Sequence, residues 1–178
     1  GWKRGKVRTS GAMAANRGGE AEPPADPLKE VPIQIAFVID TTRSMQPYID
    51  ETKTALEGLA ANVRDSAVGA RAQFAIVEYR DNVALAPALE YVTKTQLDFG
   101  ADATADGFIA KLSGVRQAEA SSDGFNEDAL AGLHHAIPEL SWSSEPGARL
   151  IYLVTDAGPR VEALAVADMM EAELPALA

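Results

Sequence analysis

Two short stretches constrain this chain more than anything else in it. Residues 33–39 read IQIAFVI and residues 149–155 read RLIYLVT, and each is followed at once by an aspartate, Asp40 and Asp156. A run that is apolar on both faces is unsuited to a sheet with one wet side, so both stretches predict central strands of a parallel sheet covered by helices. After Asp40 a polar turn over residues 41–44 leads into residues 45–63, where Met45, Ile49, Leu56, Leu59 and Val63 form one stripe of a predicted helix. Pro47 suits the first turn of such a helix. Strand, turn and amphipathic helix together open a βα unit.

The rest of the chain extends that unit. Residues 73–79 (QFAIVEY) predict another strand, and the short polar connection Arg80, Asp81, Asn82 before residues 83–95 predicts an antiparallel return at a sheet edge. Helices are expected over residues 104–112, with Phe108, Ile109 and Leu112 inward, and from about Asn126 to Pro138, with Leu130, Leu133 and Ile137 inward. Asn126, Glu127 and Asp128 suit that helix's N-terminus through capping and the dipole. A last helix is expected over residues 161–174, with Val161, Leu164, Met169 and Leu174 facing the sheet. The alternation predicts a doubly wound α/β domain over residues 31–178: a mostly parallel sheet, one antiparallel edge strand and helices on both faces.

Residues 1–30 are Gly-, Ala- and Pro-rich, cannot bury enough apolar surface to offset their ordering entropy, and are expected to be a flexible linker. They hold six of the chain's 16 Lys/Arg and four of its 26 Asp/Glu, which leaves ten bases against twenty-two acids in residues 31–178. A balance near -12 repels phosphate backbones and argues against a nucleic-acid partner, so cations are the more natural ligands. With no cysteine among 178 residues, disulfide scaffolds and thiolate chemistry are excluded. No apolar run is longer than those at residues 35–39 and 150–154, which fall far short of the roughly 18 residues a membrane span requires. The chain begins at Gly1 without a signal-like apolar stretch and reads as a fragment of a longer protein whose compartment the residues leave open.

In doubly wound sheets, ligands sit beyond the carboxyl ends of the central strands, so Asp40 and Asp156 are expected to face each other there. Thr42 and Ser44 follow Asp40 at spacings of two and four. Two carboxylates and two hydroxyls, with no His or Cys, suit a hard cation such as Mg²⁺, or Mn²⁺, that keeps several waters.

The run FVIDTTRSM resembles the metal ion-dependent adhesion site of von Willebrand factor A domains, whose Asp-x-Ser-x-Ser signature accepts Thr for the first Ser. Asp40, Thr42 and Ser44 match it, and Asp156 in LVTDAGPR is similar to that family's second aspartate motif. By DTTRSMQPYID, VEYRDN and GFNEDALAGL the chain most resembles bacterial domains attached to type VI secretion-associated serine/threonine kinases. The resemblance implies a metal held directly by the two hydroxyls, with the aspartates acting mostly through water. One coordination position is left for a carboxylate presented by a protein partner. It implies a binding module rather than an enzyme, and the chain carries neither a Gly-rich phosphate loop nor a His-Arg-Asp loop. Two departures stand out. The third loop, residues 121–126, has no Thr, so Asp123 takes that place with Ser122 next, and the family's further C-terminal strands have no counterpart here.

Plainer readings compete. Asp40, Thr42 and Ser44 could cap a helix, and Asp156 could hold the turn Ala157-Gly158-Pro159. Asp81 and Asn82 read as turn formers, His134 and His135 as structural, and Trp142 as a loop anchor or contact residue. A scaffold that has kept the fold but lost the metal would bind its partner even in a chelator. A different class, a phosphotransferase resembling the haloacid dehalogenase superfamily, would use Asp40 as nucleophile and Asp156 as metal ligand. Against it, position 42 is Thr rather than a second Asp, and Lys111 is expected on the outer side of a helix.

Overall fold

The computed structural model describes residues 31–84, 86–121 and 127–159. Strand β1 (Ile33–Asp40) lies between β2 (Ala72–Tyr79) and β4 (Ala148–Val154), parallel to both, while β3 (Thr93–Leu97) runs antiparallel along the far side of β2. The order is β3-β2-β1-β4, an open mixed sheet of the doubly wound kind. Of β1 only Ile33 is less than fully buried, as its two-faced apolar run requires.

Alternate residues of β1 feed two cores. Ile35, Phe37 and Ile39 join Phe74, Ile76 and Phe108 under helices α1 (Ile49–Arg64) and α2 (Ala105–Leu112). Phe108 packs its ring 5.1 Å from Phe37 and 5.3 Å from Phe74. Ala36 and Val38 join Ala75, Val77 and Tyr79 under helix α3 (Ala129–Glu139). Thr104 caps α2 by accepting from the Gly107 N–H, and Asp128 caps α3 by accepting from the Ala131 N–H, each filling a backbone donor that the first helical turn leaves open.

Several expectations are corrected. The helix after β1 begins at Ile49 rather than Met45. A separate 3-10 turn, Arg43–Met45, precedes it, and Pro47 lies between the two. The antiparallel edge strand exists but is short: residues 80–92 form a loop around a 3-10 turn, Pro87–Leu89, in which Asp81 is buried, so Asp81 and Asn82 are not the corner of a tight hairpin. The buried stripe of α3 is made by Ala129, Gly132, Ala136 and Ile137, with Leu130 and Leu133 only half-buried. Strand β4 pairs only with β1 and leaves Leu150, Tyr152 and Leu153 exposed, so it is an edge strand among the described residues and not a fully buried one. The expected linker over residues 1–30 and the expected helix over residues 161–174 lie outside the described residues.

The two helical histidine neighbours have separate surroundings. His135 bridges Thr93 (3.2 Å) and Thr95 (2.8 Å) and so ties α3 to β3, a structural role. Trp142 donates to the Ala136 carbonyl and packs 4.7 Å from Phe99, which anchors the loop before β4. No helix among the described residues is long and apolar enough to cross a membrane.

Gly132 lets α3 approach the sheet. A Cβ there would sit 2.9 Å from both Tyr79 Cδ1 and Val38 Cγ1, whereas one on Gly58, on α1, would meet nothing within 4 Å. Gly132→Val therefore overpacks a closed contact and lowers unfolding free energy by about 3 kcal/mol. Gly58→Ala raises it by up to about 1 kcal/mol through helix propensity. Urea unfolding monitored by circular dichroism checks both signs.

Candidate metal centre

The site grows from the tip of β1. Because β2 and β4 both run parallel to β1, their carboxyl ends lie together; Ile39 pairs with Val154, which sets Thr155 and Asp156 beside Asp40 and the turn that follows it. That turn is fixed by the backbone: Thr41 N–H donates to the Tyr79 carbonyl (2.9 Å), and Met45 N–H closes the 3-10 turn on the Thr42 carbonyl (3.2 Å). Thr42 is extended, at φ -68° and ψ 167°, and its side chain makes no helix cap. It turns instead toward Asp40, so the capping reading of this residue is set aside.

Four side chains form a line of oxygen contacts. Thr42 Oγ1 lies 2.6 Å from Asp40 Oδ1, Thr42 Oγ1 lies 3.0 Å from Ser44 Oγ, and Ser44 Oγ lies 3.1 Å from Asp156 Oδ1. Asp40 and Thr42 are buried and make the floor, while Ser44 and Asp156 are exposed at the mouth. The structure thus brings Asp40, Thr42, Ser44 and Asp156 together; Asp123, like Ser122, lies outside the described residues. Among the described residues no group of three His, Cys, Asp or Glu is placed to hold a metal, so a cation here depends on the hydroxyl oxygens.

Residues that spacing did not single out complete the floor. Tyr79 OH donates to Asp40 Oδ2 (3.3 Å), Thr155 Oγ1 donates to the same oxygen (3.2 Å), and the Thr42 N–H donates to Oδ1 (2.8 Å). Burial pushes the Asp40 carboxyl above its ordinary value near 3.8 and the Asp156 charge adds to that, while the hydrogen bonds from Thr42 and Thr155 pull the other way. Tyr79 is likewise held well above the usual phenol range, first by burial and then by the Asp40 charge, with buried Glu127 contributing. Glu127 is therefore within electrostatic reach of the site; its backbone pairs with Gly158 beside Asp156, a proximity no sequence spacing reveals.

Proton counting shows what the line of oxygens lacks. Three contacts join four groups, yet two hydroxyls bring only two protons. If both carboxylates are ionised, Thr42 donates to Asp40 and Ser44 to Asp156, leaving two hydroxyl oxygens facing each other at 3.0 Å with lone pairs only. A third proton, on Asp40, or a cation bound by the hydroxyl oxygens removes that conflict. The residues present fit a hard divalent ion.

No protein-family model matches the sequence, and no curated protein matches it. Solved structures do. The chain is similar in fold to a pilus adhesin, SpaC, from Lactobacillus rhamnosus GG, at TM-score 0.54 and 16% identity, over 72% of this chain and 15% of the adhesin. It is also similar to proximal thread matrix protein 1 of the mussel byssus with a zinc-occupied MIDAS motif, at TM-score 0.61 and 15% identity, over 80% of this chain and 34% of that protein. The chain thus spans well under half the length of either.

The pH behaviour of Asp40 is testable. A carboxyl raised in the fold contributes stability that is fully present below the ordinary value near 3.8 and is lost as pH rises through the folded value. In chelator, wild type therefore loses stability as pH rises from about 3.8 through the folded value, and no more beyond it. Asp40→Asn, which keeps an oxygen for the Thr42 N–H and buries no charge, melts higher than wild type at pH 7 and lacks this loss. Melting curves from pH 3 to 8 check it. The strand order and the likeness to these solved structures are those of an open α/β fold of the von Willebrand factor A/Rossmann-like kind.

Proposed function

We propose that the chain is a metal-dependent protein-binding domain of the adhesion type. In this reading Mg²⁺ or Mn²⁺ is held at the carboxyl ends of β1 and β4 and accepts an acidic side chain from a protein partner. The observation that carries it is the oxygen line from Asp40 to Asp156, which, with both carboxylates ionised, leaves two hydroxyl oxygens facing each other without a proton or cation between them. Thr42 and Ser44 would hold the ion through their hydroxyls, Asp40 and Asp156 would balance its charge, and Asp123 stands as a further ligand from the third loop. When bound, the ion supplies an electrophilic position for an outside carboxylate.

The chain's own residues prepare that position. Tyr79, Thr155 and the Thr42 N–H hold the Asp40 carboxylate in place, so that it orients the Thr42 hydroxyl without swinging out. Exposed Ser44 and Asp156 leave the mouth open to a macromolecule, where an enzyme pocket would close around a small substrate. The adhesin and the zinc-bearing MIDAS protein among the similar folds support the binding reading over a catalytic one. The finer placement, as a module of a type VI secretion-linked serine/threonine kinase, rests on the motif resemblance.

A metal titration tests the proposal. Ligand binding to the folded state alone stabilises it by about 2.7 kcal/mol at a hundred times Kd. Mg²⁺ or Mn²⁺ raises the melting temperature of wild type, the rise disappears in Asp40→Asn and shrinks in Asp156→Ala, and chelator reverses it. An equal rise in wild type and Asp40→Asn would overturn the metal assignment.

A further inference from the structure

A second polar site lies on the other side of Thr41. A cavity of about 610 Å³ opens between β3, the loop after β2 and the segment following α2, and its charged lining includes Glu78, Arg80, Glu90, Tyr91, Lys94 and Arg116. Its wall is hydrogen-bonded directly to the residue between Asp40 and Thr42: the Ala118 N–H donates to the Thr41 carbonyl (2.7 Å), and the Tyr91 and Thr41 hydroxyls are 3.3 Å apart.

At the centre is a buried cation whose hydrogen bonding is lopsided. Arg80 is 6% exposed, and its guanidinium carbon lies over the Tyr91 ring, 4.1 Å from the centroid. Nη1 is filled twice, by the Leu89 carbonyl (2.7 Å) and by Glu90 Oε2 (2.7 Å). The opposite edge is not filled. Nε is buried with no partner, and Nη2 reaches only the Arg116 carbonyl at 3.5 Å, the outer limit of a hydrogen bond. Two parallel N–H groups on one edge of a guanidinium match a carboxylate in shape and charge.

The surrounding charges are mixed, with exposed Glu119 also on the lining. Buried Glu78 takes Lys94 Nζ on one oxygen (3.1 Å) and Tyr91 OH on the other (2.7 Å), so it does not neutralise Arg80. Arg116 is exposed and contributes only its backbone carbonyl to the hydrogen bonding. Glu90 is the acid that does neutralise Arg80, and it is weakly held. Its side chain is 73% exposed, and its backbone sits at φ 71° and ψ -45° in a γ-turn closed by the Tyr91 N–H on the Leu89 carbonyl. That turn is rare and strained, and no other non-glycine residue described here has positive φ.

We propose that this cavity is a binding site for a small carboxylate, which takes the Nε/Nη2 edge of Arg80 with Arg116 as the second cation, loosening the strained turn that carries Glu90. Glu90, held on Nη1, opposes the ligand's charge from the other edge of the same guanidinium. The site is separate from the metal centre and needs no metal.

The experiment uses the ¹⁵N-labelled 178-residue chain in chelator, with sodium succinate as the probe and the Arg80 Nε–H resonance as the readout. Succinate moves that resonance saturably, and Asp40→Asn does so equally, which separates this outcome from the fate of the metal reading. Glu90→Gln, which removes a like charge beside the site, tightens succinate by about ten-fold. Arg116→Gln weakens it about three-fold or more through loss of a charge-assisted contact. A resonance that follows sodium chloride at equal ionic strength would overturn the site, as would Glu90→Gln and wild type binding alike. Inorganic phosphate binding as tightly as succinate would overturn the carboxylate assignment.

Discussion

A carboxyl group sealed at the end of a central strand is the constraint on which the rest of this structure turns. Asp40 is fully buried, and burying a charge without compensation is among the most expensive things a fold can do. Four donors are therefore brought to it from three segments: the backbone N–H and hydroxyl of Thr42, and the hydroxyls of Tyr79 and Thr155. They arrive because β1 is paired on both sides: β2 carries Tyr79 to the same level as Asp40, and β4 ends where Thr155 can turn inward. Even so, the carboxyl stays above its ordinary range, because burial outweighs the hydrogen bonds and Asp156 adds a like charge.

The packing of the opposite face serves the same end. Tyr79 must lie flat beneath α3 for its hydroxyl to reach Asp40, and the helix makes room with glycine and alanine where leucine would be ordinary. At Gly132 any side chain would strike Tyr79 and Val38. The half-buried Leu133 lies beside that contact rather than in it. Small residues here are a condition of the site's geometry and reach it through one aromatic ring.

These relations explain which parts of the molecule were legible in the sequence. The apolar runs of β1 and β2, each closed by a polar turn, identify central parallel strands because only two-sided burial explains them, and the donor set follows from the position of Asp40, Thr42 and Ser44 at one strand tip. The leucines of α3 misled because periodicity ranks residues by hydrophobicity, whereas close helix-to-sheet contact selects for the absence of a side chain. Residues 83–92 misled for a different reason: alternating apolar and polar residues look like a strand, yet here the chain bends around Arg80, whose buried guanidinium takes up the Leu89 carbonyl. A buried cation organising a loop leaves no periodic trace. Tyr79, Thr155 and Glu127 escaped because nothing in their spacing marks them; they matter only once β1, β2 and β4 are aligned.

Strand β4 shows how a run apolar on both faces can mislead about burial while still reporting strand pairing. Its register along β1 holds from Ile33 to Ile39, and Tyr152 stacks on Phe37 at 5.4 Å, but Tyr152 is still 45% exposed. The position of Asp156 is consequently set by backbone pairing to β1 more than by side-chain packing of its own strand, whereas Asp40 and Thr42 are held by a closed core on both faces. The site thus has a rigid half and a softer one: the buried floor keeps its shape, while Asp156 follows the strand with fewer buried apolar side chains, the part of a fold that opens most readily, and Ser44 lies exposed in the 3-10 turn Arg43–Met45. A binding site that must admit a bulky partner gains from this division, because the donors that set the charge stay fixed while those at the mouth can yield.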